Sequence, residues 1–282
     1  MKLISYRHKG KDGFGVAVGA GVVEVGQRLG GRHGDIRAVL AAGALGEVAK
    51  AIAGKTADIG LDQVEFRPVI GLADKIICVG LNYETHRVET GRDKSEKPVL
   101  FTRFNDSHVG HGQPMIKPKN SERYDYEGEL AAIIGKPGRY IAEADALGHI
   151  AGYSCYNDGS VRDWQRHTHQ FTPGKNFPRS GAFGPWMVTT DDIPDPSKLV
   201  LMTRLNGQEV QKAPTDHMIF NVPYLIHYIS QFTALNPGDV IVTGTPGGVG
   251  DRRTPPLYMK PGDVCEIEIA GIGILRNPVA SE

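Results

Sequence analysis

The chain has 282 residues, among them 36 glycines and 18 prolines, and its formal net charge is zero at pH 7. Glycine and proline exceed average usage but stay below the level of non-periodic disordered chains, and about half of the residues are apolar or glycine. The composition therefore excludes disorder and collagen and favours a turn-rich globular protein that contains β-structure. Because no run of Lys or Arg exceeds two residues, we expect no nucleic-acid partner.

The cysteines and the hydropathy pattern indicate the compartment in which the protein is expected. Three cysteines lie far apart in apolar stretches, at positions 78, 155 and 265, which is typical of reduced core thiols in a cytoplasmic protein. No apolar run reaches the roughly 18 residues of a membrane span, and the first residues turn polar too early for a signal peptide. We therefore expect a soluble, cytoplasmic protein without a membrane partner.

The first 70 residues predict a small α/β domain. Short strands are expected at Lys2–Tyr6, Phe14–Val18 and Val22–Val25, and Asp35–Ala53 carries apolar residues at helical spacing. Because this segment has no cluster of ionisable residues, we interpret residues 1–70 as a structural domain. A linker around Val64–Gly71 then leads into a second domain, residues 71–282.

The second domain, residues 71–282, is rich in predicted strands. They are expected at Lys75–Gly80, Pro98–Phe104, Glu129–Ile134, Ile150–Asn157, Pro185–Thr190, Leu199–Leu205, Glu209–Gln211, Gly238–Thr243 and Asp263–Ile269. One amphipathic helix is predicted over Phe220–Leu235. Because strands and helices do not alternate and no repeat is present, the pattern favours a β-rich α+β protein with a closed, mostly antiparallel architecture over a Rossmann sheet.

Two glutamates, Glu127 and Glu129, form the first candidate site. Side chains two apart on a strand share a face, so these carboxylates would repel each other unless water or a cation lies between them. Hard cations such as Mg²⁺ or Mn²⁺ suit paired carboxylates. The alternative is a pair of solvent-facing glutamates on an edge strand.

A second polar stretch follows the predicted strand Ile150–Asn157. Asp158 would cap a short helix, and on that helix Asp158, Arg162 and Gln165 would share one face. One interpretation is ordinary capping with a salt bridge. The other makes Asp158 a third carboxylate ligand, with Arg162 and Gln165 as donors to an anionic substrate.

His86 and Glu89 are three residues apart and would meet on one helical turn. A carboxylate that orients an imidazole makes a general base, although this spacing is more often structural. The charged segment Arg87–Lys97 is either a solvated loop or a mobile lid that carries this pair over a site.

Two further elements contain glycine. Lys175 follows Gly174 and is either solvated or part of the site. The run Val242–Gly250 follows a strand and offers backbone N–H groups and the Thr245 hydroxyl to an anion. It matches neither a Walker loop nor a Rossmann turn.

In this order along the chain, these elements resemble the fumarylacetoacetate hydrolase family. The resemblance is carried by the strings Gly80-Leu81-Asn82-Tyr83 with His86 and Glu89, Asp125-Tyr126-Glu127-Gly128-Glu129-Leu130, Asn157-Asp158 with Arg162 and Gln165, Gly174-Lys175, and Thr243-Gly244-Thr245-Pro246. It covers roughly residues 70–280. The resemblance implies a mixed, rolled-up, barrel-like β fold, a Mg²⁺ or Mn²⁺ site in its mouth, and a homodimer.

The resemblance also implies roles for particular residues. Three carboxylates match the family's metal ligands: Glu127, Glu129 and Asp158. Three residues match its catalytic dyad and its oxyanion-stabilising lysine: His86, Glu89 and Lys175. Three match its substrate-binding residues: Arg162, Gln165 and Thr245. A fourth candidate for substrate binding, Arg103, stands where many relatives carry a lysine, and it would hold a distal group of the substrate.

The implied activity is that of a divalent-metal-dependent hydrolase. It would cleave a C–C bond in a 2,4-dioxo acid of the acylpyruvate or fumarylpyruvate type, in catabolism of aromatic or sugar-acid compounds. The metal would act as a Lewis acid, His86 would activate water, and Lys175 with Gln165 would stabilise the oxyanion. The presence of both His86 and Glu89 favours hydrolysis.

Three other functions stay open at this point. The same site would serve an oxaloacetate decarboxylase or a 2-hydroxydienoate hydratase or isomerase. A catalytically silent protein that binds a metal or a 2-oxo acid belongs to a different class. The distal pocket is expected from the segments Arg87–Lys97, Arg103–His111 and Thr168–Phe177, whose histidines a three-carboxylate site does not need as ligands.

Overall fold

The computed structural model describes residues 1–282, and most of its regular structure is strand. The strands are β1 (Lys2–His8), β2 (Lys11–Val18), β3 (Gly21–Glu24), β4 (Ile59–Gly60), β5 (Glu65–Phe66), β6 (Ile76–Gly80), β7 (Val99–Thr102), β8 (His108–Val109), β9 (Met115–Lys117), β10 (Tyr124–Asp125), β11 (Gly128–Ile134), β12 (Ile150–Asn157), β13 (Ser160–Val161), β14 (Gly181–Thr189), β15 (Val200–Leu205), β16 (Gln208–Pro214), β17 (Val240–Val242), β18 (Val264–Ile269) and β19 (Gly273–Ser281). The α-helices are α1 (Ile36–Ala41), α2 (Leu45–Ile52), α3 (Glu84–Thr90), α4 (Arg162–Gln165), α5 (Thr172–Lys175) and α6 (Val222–Phe232).

The strands form two main sheets. The larger has the order β4-β3-β2-β1-β14-β12-β11-β17-β6-β7, with β5 beside β1 and β8 beside β14. The smaller has the order β16-β15-β18-β19-β9, and β10 pairs with β13 separately. Most pairs are antiparallel, while β17–β6, β14–β8 and β19–β9 are parallel. The predicted β-rich fold with mixed sheets is therefore confirmed.

Strand β11 lies in the middle of the larger sheet, and all seven of its residues are buried. Leu130, Ala132 and Ile134 pack into one hydrophobic core, and the alternate residues Ala131 and Ile133 pack into a second. Because successive side chains on a strand point to opposite faces, a strand between two cores must be apolar on both. This explains the uninterrupted apolar run that follows the two glutamates.

The first 70 residues continue the larger sheet. Strand β1 pairs with β14 at Lys2↔Val188 and Leu3↔Met187, so the division of the chain at residue 70 stays a prediction. The helical spacing over Asp35–Ala53 corresponds to two helices, α1 and α2. They are separate because the intervening Gly43 adopts the left-handed conformation with φ of 63°, which ends α1.

Several short strands were not predicted, and two longer elements also differ from the sequence-based expectation. The final strand β19 was not expected, since glycine, asparagine and proline interrupt its apolar pattern. Helix α6 is shorter than the predicted Phe220–Leu235, because the Asn221 side chain accepts a hydrogen bond from the Tyr224 N–H at 2.9 Å and caps its start. None of the helices is long and apolar enough to cross a membrane.

A buried asparagine, Asn82, joins three parts of the fold at the start of α3. Its Nδ2 donates to the Thr243 carbonyl at 2.7 Å and to the Phe220 carbonyl at 2.9 Å. Its Oδ1 accepts from the Phe220 N–H at 2.8 Å. The side chain therefore fixes the turn between β6 and α3 against the end of β17 and the segment before α6.

We predict that Asn82→Ala lowers the free energy of unfolding by about 3 kcal/mol, because it leaves one buried and two partly buried backbone groups without partners. Urea denaturation followed by circular dichroism measures the change. The exposed Asn120 has no side-chain hydrogen bond, so Asn120→Ala serves as the control and should shift stability by less than about 0.5 kcal/mol. Equal stability of the two variants would contradict the role of Asn82.

Candidate active site

Three carboxylates meet where β11 and β12 come together. Glu127 immediately precedes β11, Glu129 is its second residue, and Asp158 immediately follows β12. Gly128 pairs with Asn157 across these strands, and the Asp158 N–H donates to the Glu127 carbonyl at 2.8 Å. One oxygen from each carboxylate lies within 4.8 Å of the others, and all three side chains are buried. The alternative of solvent-facing glutamates on an edge strand is therefore wrong.

Asp158 reaches this cluster without the predicted helix. Residues 160–161 form β13, which pairs with β10, and the helix α4 begins only at Arg162. Asp158 is therefore not its cap. It stands in the connection between β12 and β13, where the Ser160 hydroxyl donates to its carbonyl at 2.8 Å. Strand pairing rather than helical periodicity places this carboxylate.

Lys175, at the end of α5, is fully buried between two of the carboxylates. Its Nζ lies 2.7 Å from Glu127 Oε2 and 2.6 Å from Asp158 Oδ2, with the Phe101 ring centroid 5.0 Å away. Burial disfavours the ammonium, but Asp158 and Glu127 outweigh burial and raise the pKa of Lys175 above its ordinary value. The solvated-lysine interpretation therefore does not hold.

Arg162 bridges the carboxylates of Asp125 and Glu127. Its Nε lies 2.8 Å from Asp125 Oδ2, and its Nη1 lies 2.6 Å from Glu127 Oε1 and 3.0 Å from Gln165 Oε1. Burial favours the neutral acid at Glu127, but Arg162 and Lys175 outweigh it and lower the pKa of that carboxyl below its ordinary value. Sequence reasoning gave Asp125 no role, although it stands two residues before Glu127.

Arg103 lies behind the carboxylates and does not line the cavity. Its Nη1 donates to Asp158 Oδ1 at 2.6 Å and to the Gly159 carbonyl at 2.9 Å, and its other nitrogens bind Ser107 and Ser180. Its side chain has no exposed surface. The expectation that Arg103 holds a distal substrate group is therefore corrected. Each nitrogen of its guanidinium already donates a hydrogen bond to a buried protein group.

Glu129 is the one member of the cluster without a cationic partner. Its Oε2 accepts from the Gly244 N–H at 2.5 Å, and it makes no ion pair. Burial and the neighbouring carboxylates of Asp158 and Glu127 raise the pKa of Glu129 well above its ordinary value. A buried, uncompensated carboxylate among oxygen donors is the arrangement that a hard divalent cation satisfies, so these residues fit Mg²⁺ or Mn²⁺.

The predicted dyad forms on α3. His86 Nδ1 lies 2.7 Å from Glu89 Oε1, and Glu89 Oε2 accepts from the Gly248 N–H at 2.8 Å. His86 is buried and lines the cavity. Because its Nδ1 is engaged by Glu89, its Nε2 stays available to a substrate or to water. Residues 87–90 of the predicted lid belong to this helix, and Arg92–Lys97 are exposed.

The Gly-rich loop after β17 donates to the protein's own carboxylates. Besides Gly244 to Glu129 and Gly248 to Glu89, the Gly250 and Asp251 N–H groups donate to Asp125 at 2.8 and 3.0 Å. The sequence indicates that the backbone N–H groups of this loop bind an anion. In the structure they bind three carboxylate side chains, each from a different element.

A single cavity collects most of the predicted site. Seven of the ten predicted residues line it: His86, Glu127, Glu129, Arg162, Gln165, Lys175 and Thr245. The predicted wall Thr168–Phe177 contributes Phe171 and Lys175, whereas Arg103–His111 contributes none of its residues. The Gly250–Arg252 turn forms part of the wall instead, and sequence reasoning did not expect it.

Gln211 is a buried residue of β16 that the motifs did not indicate. Its Oε1 accepts from the Gly128 N–H at 3.0 Å, and its Nε2 donates to Thr245 Oγ1 at 2.8 Å and to the Pro246 carbonyl at 2.9 Å. It therefore ties the residue between the two glutamates to the Gly-rich loop. A polar residue in a short returning strand gives no local signal of this contact.

Gly128 separates the two clustered glutamates and leaves no room for a side chain. A Cβ there would lie 2.1 Å from Thr203 Oγ1 and 3.1 Å from Ile267 Cδ1. The smaller sheet therefore packs directly against the backbone of β11 behind the carboxylates. This agrees with the tight packing that the sequence suggested at this glycine.

We predict that Gly128→Ala lowers stability by about 1–3 kcal/mol, because the added methyl group displaces Thr203. Adding Thr203→Ala should recover part of the loss, since it removes the nearest atom. Thr203→Val is the matched control, since it keeps an atom at the Oγ1 position and should give no recovery. Thermal unfolding of the two double variants measures this, and equal recovery by both would contradict the packing argument.

Comparison with known proteins adds independent findings. Residues 75–280 match the family described as fumarylacetoacetate hydrolase, C-terminal. The mitochondrial oxaloacetate tautomerase FAHD2A of Bos taurus is 39% identical over 237 residues, which are 83% of this chain and 76% of that protein.

Solved structures share the whole fold. The fumarylacetoacetate hydrolase of psychrophilic Exiguobacterium antarcticum has a TM-score of 0.84 at 34% identity, with 100% of both chains covered. The maleylpyruvate hydrolase of Sphingobium sp. SYK-6, in complex with manganese(II) and pyruvate, has a TM-score of 0.83 at 26% identity, with 100% of this chain and 99% of that chain covered.

Proposed function

The chain belongs to the fumarylacetoacetate hydrolase family, and from that premise we propose that it is a divalent-metal-dependent enzyme that forms and protonates the enolate of a small 2-oxo acid. The observation that carries the proposal is one cavity lined by two of the three clustered carboxylates, by Lys175 and by the His86 imidazole. This arrangement combines a hard-cation site with a general base. A neighbour in this fold that contains manganese(II) and pyruvate supports both the cation and the substrate class.

Glu127, Glu129 and Asp158 would hold the cation. When bound, Mg²⁺ or Mn²⁺ would supply Lewis-acid polarisation of the keto and carboxylate oxygens of the substrate. Lys175 and Arg162 neutralise the neighbouring carboxylates, so that an anionic substrate is not repelled. The Gln165 side chain lines the cavity and orients a substrate oxygen through its amide.

The His86–Glu89 pair would move the proton. Glu89 accepts a hydrogen bond from the Nδ1–H group, which leaves the Nε2 lone pair as the base and stabilises the imidazolium that forms after proton transfer. In hydrolysis the proton comes from an attacking water. In tautomerisation it comes from the carbon next to the keto group or from the enol oxygen.

Two reactions share this chemistry. Hydrolysis of a 2,4-dioxo acid is supported by the water-activating dyad and by the maleylpyruvate hydrolase neighbour. Keto–enol tautomerisation of oxaloacetate is the second candidate, and it is favoured by a relative of that name at 39% identity. Both reactions need the same base and the same carboxylate cluster, so a substrate panel separates them.

We predict turnover of at least one member of a panel that contains an acylpyruvate, enol-oxaloacetate and a 2-hydroxydienoate, in the presence of Mn²⁺. Glu129→Gln should weaken Mn²⁺ binding by about 100-fold and abolish turnover, because an amide replaces a charged ligand. The exposed Glu143→Gln is the control and should match the parent protein. Mn²⁺ binding by the parent without turnover of any panel member would replace the enzyme proposal with a silent binding protein.

We predict that Glu89→Gln lowers kcat by about 100-fold or more, because an amide facing Nδ1 moves the imidazole proton to Nε2 and removes the base. The Mn²⁺ dissociation constant should stay unchanged. Glu84→Gln, on the exposed side of the same helix, is the matched control with nearly full activity. If both variants keep their activity, His86 is not the base.

A further inference from the structure

The cavity wall has an excess of positive charge. Five cationic and three anionic side chains line it. Three of the five cations are already committed to protein acids: Arg162 to Asp125 and Glu127, Lys175 to Glu127 and Asp158, and Arg166 to Asp251. The remaining two, Arg92 and Arg252, differ from these in having no carboxylate that satisfies them.

Arg92 follows the C-terminal end of α3. Its backbone is fixed, since its carbonyl accepts from Arg87 Nη1 at 2.6 Å and its N–H donates to the Arg87 carbonyl at 3.3 Å. Its guanidinium makes no hydrogen bond and no ion pair, yet the residue lines the cavity. A cation anchored at its backbone and unpaired at its head is available to a ligand.

Arg252 belongs to the Gly250–Arg252 turn on a different part of the wall. Its only ionic contact joins Nε to Asp251 Oδ2 at 3.4 Å. Asp251 is already engaged by the Arg166 guanidinium and by the Tyr258 hydroxyl, the latter at 2.8 Å. Most donors of the Arg252 guanidinium are therefore unused by the protein.

Neither guanidinium makes a hydrogen bond or an ion pair with the three clustered carboxylates, which together with Lys175 form the inner end of the cavity. We propose that Arg92 and Arg252 bind a second carboxylate, at the far end of a dicarboxylic 2-oxo acid, and so select such acids over 2-oxo acids with an uncharged tail. The inference rests on the proposed function. A guanidinium matches a carboxylate through two parallel N–H donors, which makes it suited to this selection.

A carboxylate fits this end of the cavity better than a phosphate. Phosphate sites in proteins commonly use backbone N–H groups of a Gly-rich loop. Here the loop amides of Gly244, Gly248 and Gly250 are already occupied by Glu129, Glu89 and Asp125. The unpaired guanidinium donors of Arg92 and Arg252 remain for the distal group.

The test measures binding to the Mn²⁺-loaded protein by calorimetry, with 2-oxo acids paired by chain length. Oxaloacetate, 2-oxoglutarate and 2-oxoadipate are compared with 2-oxobutyrate, 2-oxovalerate and 2-oxohexanoate, and oxalate serves as a ligand for the inner end alone. We expect the parent protein to bind at least one diacid about 10-fold or more tightly than its matched monoacid. Arg92→Gln and Arg252→Gln should reduce that preference, and the double variant should remove it.

The dissociation constants of oxalate and of the monoacids should stay within about 2-fold in every variant. Arg123→Gln removes an exposed positive charge outside the cavity and controls for long-range charge effects; it should keep the preference. A diacid preference that survives the double variant would overturn the assignment of these arginines, as would equal binding of diacids and monoacids by the parent. Failure of oxalate itself to bind would instead overturn the proposed function, and the arginine assignment with it.

Discussion

The structure depends on the burial of four carboxylates beside three cations. Asp125, Glu127, Glu129 and Asp158 are all buried, and their counter-charges are Arg103, Arg162 and Lys175. Each buried ion loses several kcal/mol of hydration, so every partner must be held in place by the fold. Because one carboxylate remains uncompensated, the arrangement is complete only with a further positive charge.

This requirement explains the position of the site in the fold. A carboxylate on an edge strand would be hydrated, whereas one at the start of the central strand β11 is enclosed by both cores and by the smaller sheet. The loop after β17 connects this cluster to the neighbouring elements, because its backbone N–H groups donate hydrogen bonds to Glu129, Glu89 and Asp125. The carboxylate cluster and the His86–Glu89 pair are therefore parts of one hydrogen-bonded unit.

The sequence predicted the parts of this unit that have local spacing. Glu127 and Glu129 are two apart on a strand, and His86 and Glu89 are three apart on a helix, so each pair could be placed from backbone periodicity alone. Most of the longer strands after residue 70 were predicted for the same reason, with β19 as the exception. Local spacing left two interpretations each for Asp158 and Lys175, and only the family resemblance assigned both to the same site, because strand pairing and not chain spacing brings them there.

The rest could not be predicted, because it depends on contacts between distant segments. Arg103 meets Asp158 across 55 residues, and Gln211 meets Gly128 across 83. Such partners share no periodic pattern, and a buried arginine has the same sequence appearance as one that faces a substrate. For this reason the sequence assigns Arg103 to the substrate, whereas the structure places it behind the carboxylates.

The two ends of the cavity are constrained to different degrees. At the inner end each carboxylate has a fixed partner: Arg103 and Lys175 fix Asp158, Arg162 and Lys175 fix Glu127, and the Gly244 amide fixes Glu129. A substitution there leaves a buried charge unpaired, so this end of the cavity admits little variation. Arg92 lies in an exposed segment and its guanidinium has no partner, so its exchange disturbs no buried group. Arg252 is exposed as well, and its one ionic contact, with Asp251 at 3.4 Å, is to a carboxylate that Arg166 and Tyr258 also hold. The fold therefore constrains the two arginines that we propose for the distal group far less than it constrains the carboxylate cluster.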